Sequence, residues 1–382
     1  MKVGVVTHWW CFENYGQLLQ CYAFQEYLRK NGHEPFLIKW YPGAMFSDRL
    51  TLHLFWGRLK NPLGFLRSLW YRLDGTTKRR VERMRIVKSQ RDFDSFRMNY
   101  LTFTKHIYRS WQELNRSEEI DADLYSVGSD VVWKFIPLND DGRTVFLDFG
   151  RKSARRISYS PSFGTAKLDE NYKQFVAPLI QRLDAVSVRE LIGVQLCREM
   201  GRNDAVCVLD PVFLLSKSDY ENKFSVAPSK LGFFVYLLRM KEPFDFQRIR
   251  RLAGNRSVTI TTVYDDYGLP PSTLSNPTIP EWIRLIGQSE CVFTNSFHCV
   301  SMCIIMHTPF VVFLKERGQG MDDRLLSILK RVGLLSRIYD GNPSCLDIMV
   351  NAKIDWAQVD QLLKEEKMVT LKFLSKNGLL RA

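Results

Sequence analysis

Apolar residues in this chain fall into two rhythms, short solid runs and stretches at helical spacing, and the two alternate. Lys2 to Thr7 is a short, β-branched run, and Gly16 to Lys30 then carries Leu18, Leu19, Tyr22, Phe24 and Leu28 on a helix face. Asn31-Gly32 stops that helix and Phe36 to Trp40 resumes as a strand, so the chain opens with a βαβ unit. Ala122 to Val127, Ala185 to Val188 and Ala205 to Leu209 read as further strands, ending at Gly128-Ser-Asp130, Arg189-Glu190 and Asp210-Pro211. Polar groups at successive strand ends suit the carboxyl edge of a parallel sheet, where open α/β folds bind ligands. A polar stretch over 216–230 fits a linker. A second series follows: strand Gly232 to Leu238, helix near Phe244 to Ala253, strand Val258 to Val263, helix near Ile279 to Gln288, strand Cys291 to Thr294, the helix after His298, and strand Phe310 to Leu314. Trp356 to Lys376 is a last helix, with Asp355 as cap and Gly378 as stop. The pattern predicts two open α/β domains with a cleft between them. The N-terminal domain spans 1–215, the linker 216–230 and the C-terminal domain 231–350, and the helical segment 351–382 can return to the first domain.

Charge changes this picture in one place. The chain has 382 residues and a formal net charge of +13, but residues 49–109 alone hold 15 Lys plus Arg against 4 Asp plus Glu. That leaves +2 for the other 321 residues. The block lies in a basic, aromatic-rich insertion over 44–118 and points to an anionic partner. Within it, Leu52 to Leu73 intersperses apolar side chains such as Phe55, Trp56 and Trp70 with Arg58, Lys60, Arg67 and Arg72. Such a segment fits either a helix on an anionic membrane surface or an insertion packed on its own domain. No nucleic-acid-binding module accompanies the block, so nucleic acid is not expected as a partner. Met1-Lys2 leads straight into a strand with no signal peptide, and the eight cysteines lack framework or zinc-ligand spacing. We therefore expect a cytoplasmic protein with reduced thiols and no bound metal.

The candidate chemistry centres on Thr294-Asn-Ser-Phe-His-Cys-Val-Ser-Met302, which sets His298 between a strand and a helix. Asn295 or Ser296 can cap that helix, and its free N–H groups and positive dipole end favour a phosphate or carboxylate. The alternative is a His that only packs. Asn14 and Gly16 follow the first strand as turn residues, Gly16 permitting a tight or positive-φ backbone, and both can line the cleft. His8 and Glu13 share that loop as weaker candidates. Asp210-Pro211 reads as structural, closing a strand into the linker. No GxGxxG, GxxxxGK[ST] or GxSxG motif stands where it would have structural meaning. Dinucleotide oxidoreductases, P-loop NTPases and α/β-hydrolases are therefore poor fits.

Several segments together resemble the polysaccharide pyruvyl transferase family. They are Gly4-Val-Val-Thr7 with Asn14-Tyr-Gly-Gln-Leu-Leu-Gln-Cys-Tyr-Ala-Phe-Gln25, Val127-Gly-Ser-Asp-Val-Val-Trp133 and Ile157-Ser-Tyr-Ser-Pro-Ser-Phe-Gly164. Asp184-Ala-Val-Ser-Val-Arg-Glu190, Leu209-Asp-Pro211 and Thr294-Asn-Ser-Phe-His298 complete the set, in order, over roughly residues 1–335. The resemblance implies a GT-B-like pair of Rossmann-like open parallel-sheet domains facing a cleft. It also implies transfer of a pyruvyl group from phosphoenolpyruvate to a sugar diol as a cyclic ketal, with no cofactor beyond that donor. By resemblance, Arg189 would hold the donor and His298 would bind its phosphate or move a proton. Asp130 is the candidate for orienting acceptor hydroxyls or acting as base, a turn cap being the alternative. The family usually has Gly where Cys299 stands, and some members carry Arg where Ser296 stands. The positive charge which that Arg would bring to an anion must come here from Lys315, Arg317 or Arg324. The acceptor expected is a lipid-linked saccharide of capsule or exopolysaccharide assembly, met at the inner membrane face with residues 52–73 as peripheral contact. Two other classes stay open: a GT-B-type glycosyltransferase using a nucleotide-sugar, and a non-catalytic assembly protein of the same fold.

Overall fold

A computed structural model describes residues 1–41, 75–134, 136–240, 244–265, 267–314 and 322–381, with the backbone alone for 75–82. The 52–73 segment, Lys315 and Arg317 lie outside the described residues.

Among the described residues, ten strands form two parallel sheets. The first holds β1 (Lys2–Val6), β2 (Glu34–Leu37), β3 (Leu124–Val127), β4 (Arg155–Ser158), β5 (Ala185–Val188) and β6 (Val206–Cys207), in the order β2-β1-β3-β4-β5-β6. The second holds β7 (Phe233–Leu238), β8 (Val258–Val263), β9 (Cys291–Thr294) and β10 (Phe310–Val312), in the order β10-β9-β7-β8. Every pairing is parallel, as the solid apolar runs require of strands covered on both faces. The molecule is thus two Rossmann-like domains. In each sheet the chain goes out from its first strand to one side and then returns to the other. That puts a switch point beside β1 and β3 in one sheet and beside β7 and β9 in the other, where loops diverge and leave a crevice.

Two helices bring those switch points together. Helix α1 (Tyr15–Lys30) is capped by Asn14, whose side chain accepts from Gly16 N, and Arg29 and Lys30 sit at its negative end. The second sheet's counterpart follows β9 and has no polar face at all: its ten residues, Phe297–Met306, are all buried. An apolar run of that kind has to be covered on every side. It packs on α1, on the turn Pro211–Leu214 and on the helix Ile279–Gln288, so one continuous apolar core spans both sheets. Tyr15 illustrates the join: it stacks on Trp282 at 5.2 Å and donates to Pro277 O at 2.7 Å.

Three local expectations differ from what is found. The second strand is Glu34–Leu37 rather than Phe36 to Trp40: Ile38 N still donates to Val5 O of β1, but Leu37 already pairs with Thr102 and Thr104, and Lys39 and Tyr41 pair with Tyr108. The polar 216–230 stretch carries a helix, Lys217–Phe224, started by a Ser216/Asp219 capping box and anchored by buried Tyr220 and Phe224. The basic region is partly internal, Arg91 being buried. The last helix, Trp356–Lys376, is capped by Asp355 and lies against the first sheet: Thr370 Oγ accepts from Leu209 N at 3.0 Å.

Candidate active site

Four strand ends converge. β3 runs into Gly128-Ser-Asp130, β5 into Arg189-Glu190, the chain after β6 into Asp210, and β9 into Asn295–His298. Their common member is Asp210, whose side chain is wholly buried. Its Oδ2 accepts from Ser129 Oγ at 2.7 Å and from Arg189 Nη1 at 3.1 Å, and His298 Nε2 lies 3.3 Å away, outside hydrogen-bond geometry. Its Oδ1 accepts from Val212 N at 3.1 Å and starts the turn that supports the Phe297–Met306 helix. Burial opposes the charge on Asp210, but His298, Arg189 and the Ser129 hydroxyl outweigh it and bring its pKa down to about 2. The anion that faces His298 is a carboxylate of the protein itself.

His298 reaches that place because position 16 has no side chain. A Cβ on Gly16 would overlap the imidazole and fall 2.6 Å from His298 Cβ. The expected reason for this glycine, a tight or positive-φ turn, is not the one found: Gly16 is in the first helical turn with ordinary φ. The Asn14-Tyr-Gly motif and the His298 motif are therefore two halves of one contact between the sheets.

Arg189 lies between three carboxylates. Besides Asp210, its Nη2 is 4.0 Å from Asp130 Oδ1 and its Nε 3.8 Å from Glu190 Oε2, and its guanidinium covers the Phe297 ring at 4.5 Å. Its side chain is 1% exposed, yet Nε and Nη2 have no hydrogen-bond partner among the described residues. His298 Nε2, Glu190 Oε2 and Ser160 Oγ are buried and unpartnered in the same way. Glu190 accepts from Ser162 Oγ at 2.6 Å, and its pKa is raised because burial outweighs the pull of Arg189, Ser162 and Arg324. Arg324 completes the group electrostatically, interacting with Arg189, Asp130 and Glu190. Asp130 itself sits at φ 70°, a left-handed conformation fixed by Ser162 N donating to its carbonyl at 2.9 Å. Its carboxyl is held well below the usual range: burial acts against the charge, but His8, Arg189 and His298 outweigh it. His8 Nδ1 stands 3.6 Å from Asp130 Oδ2.

His298, Arg189, Asp130, Gly16 and Arg324 are thus brought together. Asn295 has both ends of its amide on the backbone of Leu238, accepting from N at 2.7 Å and donating to O at 2.9 Å. It fixes the loop after β7. Of the two possible caps, Ser296 is the one used, accepting from Cys299 N at 3.5 Å. Asn14 caps α1, and Glu13 accepts from Tyr264 N at 2.6 Å, tying the first loop to the second sheet. Asp210 is the residue that sequence reasoning passed over. Asp-Pro after a strand reads as a turn, and its three side-chain partners arrive from other strands. Among the described residues, no group of three His, Cys, Asp or Glu side chains is placed to hold a metal ion, and no helix is long and apolar enough to cross a membrane.

Several solved structures share the outline. UDP-GlcNAc 2-epimerase from Methanocaldococcus jannaschii is 12% identical with a TM-score of 0.48, over 97% of this chain and 100% of that one. The UDP-N-acetylglucosamine 2-epimerase from Rickettsia bellii is 10% identical with a TM-score of 0.47, over 98% and 97%. Arabidopsis thaliana UGT89C1 complexed with UDP is 10% identical with a TM-score of 0.46, over 96% and 94%. At such scores none of them speaks to the chemistry. No curated protein matches in sequence. The family model for polysaccharide pyruvyl transferase matches residues 14–314, from the Asn14 cap through His298 to the end of the second sheet, and the chain belongs to that family.

Proposed function

We propose that this protein transfers a pyruvyl group from phosphoenolpyruvate to two hydroxyls of a saccharide, forming a cyclic ketal and releasing phosphate. The observation that carries the reading is the pair of buried, unpartnered donor edges at one point: Arg189 Nε and Nη2, beside His298 Nε2. A buried cationic donor left unmatched is costly, and a ligand that supplies acceptor oxygens removes the cost. Phosphoenolpyruvate carries both a carboxylate and a phosphate on a three-carbon frame. Arg189 would take one of these in bidentate fashion, with Arg324 adding positive charge. His298 would protonate the methylene carbon as a sugar hydroxyl attacks the neighbouring carbon. Loss of phosphate and attack by the second hydroxyl then close the ring. One hydroxyl proton balances the proton added to the methylene carbon and the other leaves on phosphate. An imidazole is suited to such proton steps.

The acceptor in this reading is a lipid-linked saccharide of capsule or exopolysaccharide assembly, met at the cytoplasmic membrane face. The interspersed basic and aromatic residues of 52–73 support that placement by composition. Loss of binding to anionic vesicles on deleting them is the expected outcome, and unchanged binding would remove the membrane from the proposal.

The deciding experiment for the donor is thermal melting and calorimetry of the wild type, His298→Ala and Arg189→Lys. Each is titrated with phosphoenolpyruvate and, separately, with UDP-glucose. Phosphoenolpyruvate should stabilise the wild type and lose at least tenfold in affinity in both folded variants. Stabilisation by UDP-glucose alone would replace the proposal with a glycosyltransferase. Stabilisation by neither would favour an assembly protein without turnover.

A further inference from the structure

The face of the second sheet turned away from the donor cluster carries a basic groove. Side chains along a strand alternate between the two faces of its sheet. Phe234 and Tyr236 of β7 lie in the core shared with the Phe297–Met306 helix, whereas Phe233, Val235 and Leu237 pack in a separate cluster with Phe246, Ile249, Leu346 and Met349. The helices Phe246–Ala253 and Pro343–Asn351 therefore cover the far face, and the sheet stands between them and His298. Along these two helices runs a cavity of about 290 Å³. That is about ten times the volume of a water, at the small end of ligand sites. Residues 246–264 contain no Asp or Glu but hold Arg248, Arg250, Arg251 and Arg256, a local +4 against +2 for the whole chain outside 49–109. Three of these arginines line the cavity: Arg248, Arg251 and Arg256.

Their present partners divide them by role. Arg256 donates from Nε to Ala253 O at 2.9 Å, from Nη2 to Leu252 O at 2.7 Å and from Nη1 to Glu290 at 3.3 Å, so its fork is spent on closing the helix end. Arg248 ties the two helices together, its Nη2 donating to Pro343 O and, at 3.2 Å, to Asp347 Oδ2. Its Nε is buried and has no hydrogen-bond partner among the described residues. Arg251 is 69% exposed along its side chain and meets Asp245 loosely, at 3.7 Å. A cation in a last helical turn offsets the helix dipole, but Arg250 stands in that turn too and Arg256 already binds its carbonyls. The helix thus accounts for Arg256 and Arg248 and leaves Arg251 without a task. The cavity's carboxylate, Asp347, is engaged by Arg248, and Leu252 and Val350 supply an apolar surface.

We propose that this groove is a second ligand site, for a soluble phosphate ester about the size of a sugar phosphate. Its phosphate lies on Arg251 and the unpartnered edge of Arg248, since guanidinium groups match phosphate oxygens in charge and geometry. Its organic body rests on Leu252 and Val350, and the Asn351 amide, which already donates to Asp347 O at 2.8 Å, reads its hydroxyls. A bare phosphate would leave most of the cavity and both apolar side chains uncovered. Because the sheet separates the groove from Arg189 and His298, this ligand does not compete with the donor.

The test is calorimetry on the full chain with glucose 1-phosphate, inorganic phosphate and phosphatidylglycerol vesicles as probes. Glucose 1-phosphate should bind the wild type and Arg189→Lys equally, because the donor cluster is not involved. Arg251→Gln should weaken it about tenfold and Arg251→Glu should abolish it, both variants folding normally because the side chain is exposed. Arg251→Gln should also keep the full melting shift produced by phosphoenolpyruvate. Four results would overturn the site as drawn. The first is no binding of glucose 1-phosphate to the wild type. The second is binding that Arg189→Lys removes and Arg251→Gln leaves intact, which would place the ester in the donor cluster. The third is equal affinity for inorganic phosphate, which would mean that the apolar surface reads nothing. The last is binding of vesicles alone, lost in Arg251→Gln, which would make the ligand a lipid headgroup instead of a soluble ester.

Discussion

At position 16 the side chain is a hydrogen atom because the His298 ring fills the space a methyl group would need. That makes the sign of one substitution informative. Replacing a helical glycine by alanine ordinarily stabilises by roughly 0.5–1 kcal/mol. Here Gly16→Ala has to push His298 aside or spread α1 from the second sheet, and overpacking of that kind costs about 1–3 kcal/mol. We expect a lower urea midpoint together with phosphoenolpyruvate affinity reduced about tenfold. A higher midpoint with unchanged binding would mean that the two motifs do not touch. The sequence shows Asn14-Tyr-Gly and His298 each as a loop between a strand and a helix, and both loops are where expected. What it does not show is that they meet, since one is near the start of the chain and the other in the second sheet. Asp210 was hidden for the same reason: its importance lies in Ser129, Arg189 and His298, none of them its neighbour in sequence.

Among the elements, the helix Gly75–Arg91 has the most to say about the basic insertion. Its last residue, Arg91, is 1% exposed and donates to Glu13 O at 2.8 Å, Thr262 O at 2.6 Å and Asn276 Oδ1 at 3.0 Å. It also lies over the Tyr15 ring, 5.2 Å from its centroid. One guanidinium thus joins the first loop of one sheet to the edge of the other. Arg83 reaches Asp265 O at 3.2 Å, and Arg97 holds the carbonyls of Trp9 and Cys11. Among the described basic side chains of 49–109, Arg83, Arg91 and Arg97 are therefore used inside the fold. Arg91→Ala should lower stability by on the order of 3 kcal/mol, since it leaves several buried acceptors unmatched. Arg91→Lys should recover less than half, because an ammonium cannot span three acceptors in a plane. Urea unfolding of both variants measures this, and full recovery by lysine would reduce Arg91 to a point charge. Strand and helix rhythm was readable for most elements because apolar spacing carries it directly. The helix Lys217–Phe224 escaped because it offers only two buried apolar side chains, Tyr220 and Phe224, amid polar ones. Its Ser216/Asp219 capping box was the signal that could have revealed it.

For the whole molecule, alternating strand and helix signals are enough to predict two α/β domains, whereas strand order is not in any local pattern. That order sets both switch points on the shared site and so buries three carboxylates, Asp130, Glu190 and Asp210, with Arg189 between them. Their effects on stability have opposite pH dependence. The pKa of Asp210 falls from 3.8 to about 2, burial being outweighed by His298 and Arg189. Its contribution, on the order of 2 kcal/mol, is therefore complete above the unfolded value and lost as pH falls through the folded one. Glu190 is shifted upward from 4.5, burial prevailing. Its protonated form is the better buried one, so it favours the fold below the unfolded value and loses that contribution as pH rises through the folded one. Asp210→Asn should then be destabilising at pH 7, with the gap to wild type closing below about pH 4 as the wild-type carboxylate protonates. Glu190→Gln, which keeps an acceptor for Ser162, should gain on the wild type as pH rises above 4.5, the carboxyl's ordinary value. Urea midpoints of the three proteins from about pH 2 to about pH 8 decide the matter. If both variants lose ground as pH rises, Glu190 is a paired carboxylate like Asp210, and Arg189 is divided between two of its own acids instead of keeping its Nε and Nη2 edges for a ligand.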